Sequence, residues 1–400
     1  MKNLTPAFKG IALAFALLLA TSGLWASLPV DSLRQKMNEA LAKYQFEEAI
    51  DFGNAALALD SCNVGLLLQL GDAHRASGQG ELALSCFIQA VAVDSLNAPA
   101  HFKLARYYEN RRDFAEALAT YKRLFEIDDS RAYFYRYGAS LAAKMGILYD
   151  AIQWNLRSIE LDPKSLAAYH ALAELWIEMR GFYPADTLIA AALALDSNDV
   201  RSLYLAGKSA YLQQDYMDAV KRFRKLFDLK QGSAQAARYH GISLYHIKQY
   251  TEALEVLQEL IAEASELDFP HYYRALCYQA LDDPLKAEAE FKAAIAKVKV
   301  KNLALYHESL GIHLQSQSRD GDAIAHLRLA QQLDPDPEKL YHIALSYDRW
   351  YADKNMAISA YESYLHQTDS SVYERVDYAS KRSNLLRREA HFSEKEDGSK

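Results

Sequence analysis

Apolar and small residues recur three and four apart along nearly the whole chain, the spacing that gives an α-helix one apolar face. Residues Val64 to Asn97 show the unit most plainly. Leu67, Leu70, Gly71 and His74 line one face of a first helix, and the stretch Ala76 to Gly80 breaks it. Ala83, Phe87 and Ala90 then line one face of a second helix, which the turn Asp94-Ser95-Leu96-Asn97 closes. Each unit is therefore predicted to be a helical hairpin. Ala83 has counterparts at Ala49, Ala117, Ala151, Ala185, Ala219, Ala253 and Ala287, every step being 34 residues. Small residues suit a close crossing of two helices, where a large side chain has no room at the meeting of the ridges.

Ten such units are predicted between residues 30 and 371. The first, Val30 to Asn63, lacks the aromatic and glycine pattern of its neighbours, as a terminal repeat facing solvent does. After repeat eight the register slips. Ala323 follows Ala287 by 36 residues, so Lys297 to Asn302 is expected to lengthen a helix or loosen a turn before repeats nine and ten resume with Ala323 and Ala357. Residues 372–391 are expected to form one capping helix. Val376, Ala379, Leu385 and Leu386 would cover the last repeat, with Arg375, Lys381, Arg382, Arg387 and Arg388 in water. The charged residues 392–400 are expected to be disordered.

The unit resembles the tetratricopeptide repeat, whose 34 residues follow the pattern W-x2-L-G-x2-Y, then A-x3-F-x2-A and a final proline. Leu70, Gly71, Ala83, Phe87 and Ala90 carry the resemblance, which extends over about Val30 to Ser371. It implies an all-α fold, a right-handed solenoid of antiparallel helical hairpins. It also implies a protein that holds protein or peptide partners on the concave face lined by its first helices, and that has no cofactor. In that family positions 2, 5, 9 and 12 of each unit look inward, which places them on one face of a 3.6-residue helix.

Two candidate patches come from the inward side. In repeats six to eight Tyr204, Lys208, Tyr211, Arg238, Tyr245, Phe269 and Tyr272 mix aromatic rings with cations, good anchors for an extended peptide. The alternative is that some of these tyrosines pack between neighbouring repeats. Near the N-terminus Arg34, Asn38, Gln69 and Lys103 resemble the polar clamp by which some family members hold a terminal carboxylate. Pro99 stands where that clamp has a basic residue.

Residues 1–26 read as a secretory signal. Lys2 and Lys9 precede the apolar run Ile11 to Ala20, small residues follow, and cleavage is expected after Ala26. Membrane attachment is expected only through this segment if it stays uncleaved. Lysine and arginine number 45 against 52 acidic residues, a net charge of -7. Removing residues 1–26 with their two lysines gives -7 - 2 = -9. That balance speaks against a nucleic-acid partner and against an acidic disordered chain.

No phosphate loop, dinucleotide-binding glycine pattern or nucleophile elbow is present. His307-Glu308 comes nearest to a zinc helix, but the next histidine, His313, is six residues on and does not share a helical face as an i, i+4 pair does. Neither metal binding nor catalysis is expected. The remaining histidines are expected at the surface or the edge of the core. Cys62, Cys86 and Cys277 are expected to be free thiols, since three cannot all pair. The sequence thus points to an exported, periplasmic or cell-envelope scaffold. Its alternatives are a self-associating structural protein, or a module that positions an envelope enzyme or secretion and assembly machinery.

Overall fold

The structure, a computed structural model, describes residues 28–298, 302–351, 354–368 and 373–397. The expected signal segment lies outside the described residues, as do 398–400. Among the described residues the regular structure is helical throughout, with no strand. The chain divides into two compact units, one ending at Leu195 and one starting at Asp196.

The first unit contains five hairpins. Its helices are α1 (Val30–Ala42), α2 (Phe46–Leu59), α3 (Val64–Ala76), α4 (Gly80–Val93) and α5 (Ala98–Arg111). They continue with α6 (Phe114–Ile127), α7 (Ala132–Lys144), α8 (Leu148–Leu161), α9 (Leu166–Glu178) and α10 (Phe182–Leu195). The second unit holds α11 (Val200–Leu212), α12 (Tyr216–Asp228), α13 (Ala234–His246), α14 (Tyr250–Glu263), α15 (Phe269–Ala280) and α16 (Pro284–Lys297). It closes with α17 (Leu303–Ser316), α18 (Asp320–Leu333), α19 (Pro337–Trp350), α20 (Asn355–Gln367) and α21 (Tyr373–Asp397). Odd-numbered helices through α19 are first helices and even-numbered ones are second helices.

The alanine register is the hairpin crossing. Ala83, Ala117, Ala151, Ala219, Ala253 and Ala287 are completely buried, and so are Ala323 and Ala357 beyond the slip. The partner surface on the first helix is equally tight. A Cβ added at Gly207 would lie 2.6 Å from the Phe223 ring, and one at Gly71 would lie 2.5 Å from Phe87. Between the helices of each of the first nine hairpins one residue is left-handed, in step with the repeat: Tyr44, Gly78, Arg112, Gly146, Arg180, Gln214, Lys248, Asp282 and Ser318. Two of them are glycine. The turn is a Schellman closure, seen where the Asp215 amide donates to the Ala210 carbonyl at 2.9 Å. Seven side-chain-bearing residues therefore accept the left-handed cost because the hairpin geometry demands it.

Successive hairpins are joined by capped connectors. The side chains of Asn63, Asn97 and Ser233 accept from the amides of Leu66, Ala100 and Ala236 at 3.1, 3.1 and 3.2 Å. The slip of two residues is shared. The connector 298–302 is one residue longer than 94–97, and α17 has 14 residues where α11 and α13 have 13. His313 on α17 reaches back across this join, its Nε2 3.1 Å from the Pro284 carbonyl oxygen.

The capping helix differs from its expected form in two ways. It runs to Asp397, past the boundary at 391, because no proline or glycine interrupts the sequence before Gly398. Its covering face is Ala379, Ser383 and Leu386, all buried, while Leu385 is 45 % exposed. Arg382, expected in water, donates from Nε and Nη2 to the Asp348 carboxylate at 2.7 and 2.9 Å. That ion pair fixes the rotation of α21 on α19 and turns Leu385 outward. Cys62 is exposed in a connector, whereas Cys86 and Cys277 are buried and their thiols are pushed up to about 12 by desolvation.

Candidate functional site

In the first unit three of the four clamp-like residues meet. The Arg34 Nε on α1 donates to Gln69 Oε1 on α3 at 3.0 Å, and Gln69 Nε2 donates to Asn38 Oδ1 at 3.1 Å. The amides and the guanidinium are thus already bonded to one another. Lys103 on α5 stands apart, its ammonium bonded to the Asp72 carboxylate, with the Arg75 guanidinium 3.7 Å from the same group. Asp72 neutralises the cation that a clamp would need.

Beside it, between α3 and α5, lies a cavity of about 220 Å³ lined by Asp72, Arg75, Phe102, Lys103 and Arg106 over the Phe87 ring. Arg106 is bonded to Glu109 at 2.6 Å and lies 4.3 Å over the Tyr137 ring, and the buried Glu109 also holds Lys144 at 2.7 Å. Each cation here has its carboxylate or its ring. Asp72, Arg75, Phe102 and Arg106 were legible as positions 9, 12, 5 and 9 of repeats two and three. Their mutual pairing was not.

In the second unit the aromatic patch is real as a cluster and differs from a row of exposed rings. Tyr204 and Tyr211 on α11 flank Tyr239 on α13, with ring centroids 6.4 and 4.8 Å from it. Tyr245 on α13 meets Tyr273 on α15 at 5.7 Å, and Tyr273 adjoins Tyr272 at 5.4 Å. Tyr272 stacks on Tyr306 of α17 at 4.7 Å, and its hydroxyl lies 3.3 Å from Ser309 Oγ. Tyr204, Tyr211, Tyr245 and Tyr272 are all half-buried, packed between repeats on one side and open on the other.

Desolvation pushes the hydroxyl pKa values of Tyr211, Tyr245 and Tyr272 upward, so these rings stay neutral and keep their protons as donors. Phe269 differs from the expectation. It is 8 % exposed and packs with Ala237, Ile242 and Leu260 under the Arg238 guanidinium, which sits 4.7 Å over its ring. Phe269 therefore supports the face from beneath. Arg238 is exposed and Lys208 half-exposed.

Tyr239 and Tyr273 were missed by the inward rule because each stands one residue after position 5. A strip of neighbouring helices presents that sixth residue as well, and two consecutive tyrosines at 272 and 273 were its signal.

Nothing in either patch resembles a catalytic arrangement of nucleophile and base. The histidine nearest to a zinc pattern, His307, has its Nδ1 2.8 Å from His326 Nδ1, one ring donating and the other accepting. Among the described residues no group of three or more metal-ligating side chains converges, and no helix is long and apolar enough to cross a membrane.

The family model described as tetratricopeptide repeat matches residues 68–132 and 187–267. The chain carries tetratricopeptide repeats. Its helical hairpins are similar in fold to the C-terminal part of a tetratricopeptide-repeat-containing protein from Cytophaga hutchinsonii. That structure is 18 % identical with a TM-score of 0.50, over 57 % of this chain and 95 % of that one. A tetratricopeptide repeat protein from Parabacteroides merdae is 15 % identical with a TM-score of 0.46, over 63 % and 98 % of the two chains.

Among curated proteins, a stretch of 159 residues is 27 % identical to the Hordeum vulgare protein named probable UDP-N-acetylglucosamine–peptide N-acetylglucosaminyltransferase SPINDLY. That stretch is 38 % of this chain and 17 % of that protein, so this chain spans less than a fifth of that relative's length. Tetratricopeptide repeats as a fold suggest a protein–protein interaction scaffold.

Proposed function

We propose that this chain is a non-catalytic scaffold of the bacterial cell envelope, exported through residues 1–26, and that it holds a partner protein or peptide on the first-helix face of repeats six to eight. The observation that carries this reading is the strip of half-buried tyrosines on α11, α13 and α15 with Lys208 and Arg238 beside it. Rings fixed on one side by packing offer their other side at little cost in conformational freedom, which is what makes aromatic residues effective anchors. The N-terminal patch is the weaker candidate, because Asp72 already occupies Lys103. The envelope placement is supported by Lys2, Lys9, the apolar run Ile11 to Ala20 and the small residues up to Ala26. The non-catalytic part is supported by the fold, since tetratricopeptide repeats are typically non-catalytic.

The test is a crosslinked capture of the full chain from its own cells, beside a Tyr204→Ala, Tyr211→Ala double variant whose helicity is checked by circular dichroism. Partners present with wild type and absent with the folded variant support the reading. Partners that persist move the interface elsewhere. A captured second copy of the chain makes it a self-associating structural protein, and a captured hydrolase or secretion component makes it a positioning module. Mass spectrometry of the envelope fraction should find a mature chain starting at Ser27; full-length protein confined to the cytoplasm would end the envelope reading.

A further inference from the structure

The first helices of repeats six to eight share a feature that the net charge of the chain conceals. α11, α13 and α15 contain no aspartate or glutamate at all, although acidic residues outnumber basic ones by seven overall. Their cations are Arg201, Lys208, Arg238 and Arg274. Arg274 is buried and bonded to Glu290 at 2.8 Å, and Arg201 lies 5.8 Å over the Tyr204 ring.

Lys208 and Arg238 stand otherwise: among the described residues neither has an ion-pair partner. The aspartates at the starts of these helices are engaged. Asp199 accepts from the Ser202 amide at 2.7 Å, and Asp268 accepts from the Tyr306 hydroxyl at 2.9 Å. The strip ends at α17, which brings Glu308 with Lys339 3.7 Å away.

Resting on the partner-binding reading above, we infer that the face formed by Tyr204, Lys208, Tyr211, Arg238, Tyr245 and Tyr272 takes an acidic, extended polypeptide segment. Its carboxylates would pair with Lys208 and Arg238, and its intervening apolar side chains would lie on the tyrosine rings. An anion here displaces no existing carboxylate, in contrast to the cavity between α3 and α5, where each cation is already matched. Arg238 also lies close enough to Tyr211 to oppose the upward shift of its hydroxyl, so cation and ring share one surface.

The length follows from geometry. Adjacent helices pack with axes roughly 8 to 10 Å apart. Crossing from α11 to α15 takes two such steps, a span that an extended chain covers in roughly six residues at about 3.3 Å each. A nucleic acid fits less well, since a polyanion needs a longer track of cations and meets a protein of net charge -7.

The experiment uses the full chain and a rhodamine-labelled hexaglutamate, with hexaglutamine and a labelled oligothymidylate as comparison probes, followed by fluorescence anisotropy at low salt. Wild type should bind hexaglutamate in preference to both others. The Lys208→Glu, Arg238→Glu variant should bind it at least about tenfold more weakly, as expected when two charge pairs become repulsive. A Lys221→Glu, Lys248→Glu variant, with its reversals outside this face, should bind as wild type does. Should the charge-reversed protein fail to fold by circular dichroism, Lys208→Gln, Arg238→Gln replaces it and should show the same direction of change.

Equal binding of hexaglutamate and hexaglutamine overturns the inference, and so does a wild-type affinity in the folded variant. Equal loss in the Lys221, Lys248 control would assign the effect to the general field of the molecule, and tighter binding of the oligothymidylate would assign the face to nucleic acid. Each of these results overturns the acidic-peptide inference while leaving the crosslinked capture to decide whether the tyrosine face binds a protein.

Discussion

His240 on α13 is 3 % exposed, stacked 5.4 Å from Phe227, and neither of its ring nitrogens has a hydrogen-bond partner among the described residues. Desolvation lowers its pKa to about 4, with Glu252 opposing the shift and Arg224 adding to it. The ring is therefore neutral in the folded chain at pH 5, whereas an exposed histidine in the unfolded chain is largely protonated there. A depressed histidine favours the folded state while both states are neutral, and that advantage is lost as the pH falls from about 6.5 towards 4. The loss amounts to about 3 kcal/mol across that window, at about 1.4 kcal/mol per pKa unit. Urea denaturation of wild type and His240→Leu at pH 7 and pH 4 should show the variant losing about 3 kcal/mol less than wild type. Parallel losses would mean that His240 is not a buried neutral imidazole. The residue pattern places the histidines other than His307 and His313 at the surface or the edge of the core, yet His74, His101 and His240 are buried. His240 and His101 sit on first helices against the preceding repeat, His240 on the Phe227 ring and His101 Nε2 3.1 Å from the Ser95 carbonyl oxygen, and residue type alone does not reveal which polar groups a neighbour will cover.

At the scale of the helical pair, the crossing alanine decides how closely two helices approach. Ala219 is completely buried, one turn before Phe223, whose ring fills the space left by Gly207. Ala219→Leu forces extra methylenes into that contact and should destabilise the chain by roughly 1 to 3 kcal/mol. The measurement is the shift of the urea midpoint, and an unshifted midpoint would place Ala219 outside the crossing. This register was readable because a crossing tolerates so few residue types that it repeats at 34. What a pair of helices does with its polar residues was less readable. Asn155 occupies the place that Phe87 and Phe223 hold in their repeats; its Nδ2 donates to the Ala151 carbonyl at 2.9 Å, and its Oδ1 has no partner among the described residues. The bond between Lys103 and Asp72 joins residues 31 apart on different hairpins, and the burial of Phe269 depends on Arg238 from the preceding repeat. Periodicity along one helix carries no information about either. The cap helix shows the same limit, since choosing Leu385 rather than Ser383 for its inner face is an error of rotation that the Arg382–Asp348 pair resolves.

Across the whole molecule, the sum of charges hides their arrangement: a chain of net charge -7 contains three consecutive first helices, α11, α13 and α15, without a single acidic residue. The same locality governs stability. Hairpin packing runs chiefly between consecutive helices, so α12 meets α11 and α13, and α18 meets α17 and α19. In such an array stability approximates the sum of each hairpin's own stability and its contacts with the next, and a defect is felt most where it is made. Ala219→Leu should therefore weaken amide protection unevenly. In hydrogen exchange followed by mass spectrometry, peptides from α11 to α14 should exchange faster by a factor set by the lost 1 to 3 kcal/mol, roughly 5- to 150-fold. Peptides from α1 to α6, which lie in the other compact unit, should keep their wild-type rates. An equal acceleration from α1 to α20 would show instead that the hairpins unfold as one cooperative body, and stability measured at one crossing would then belong to the entire chain.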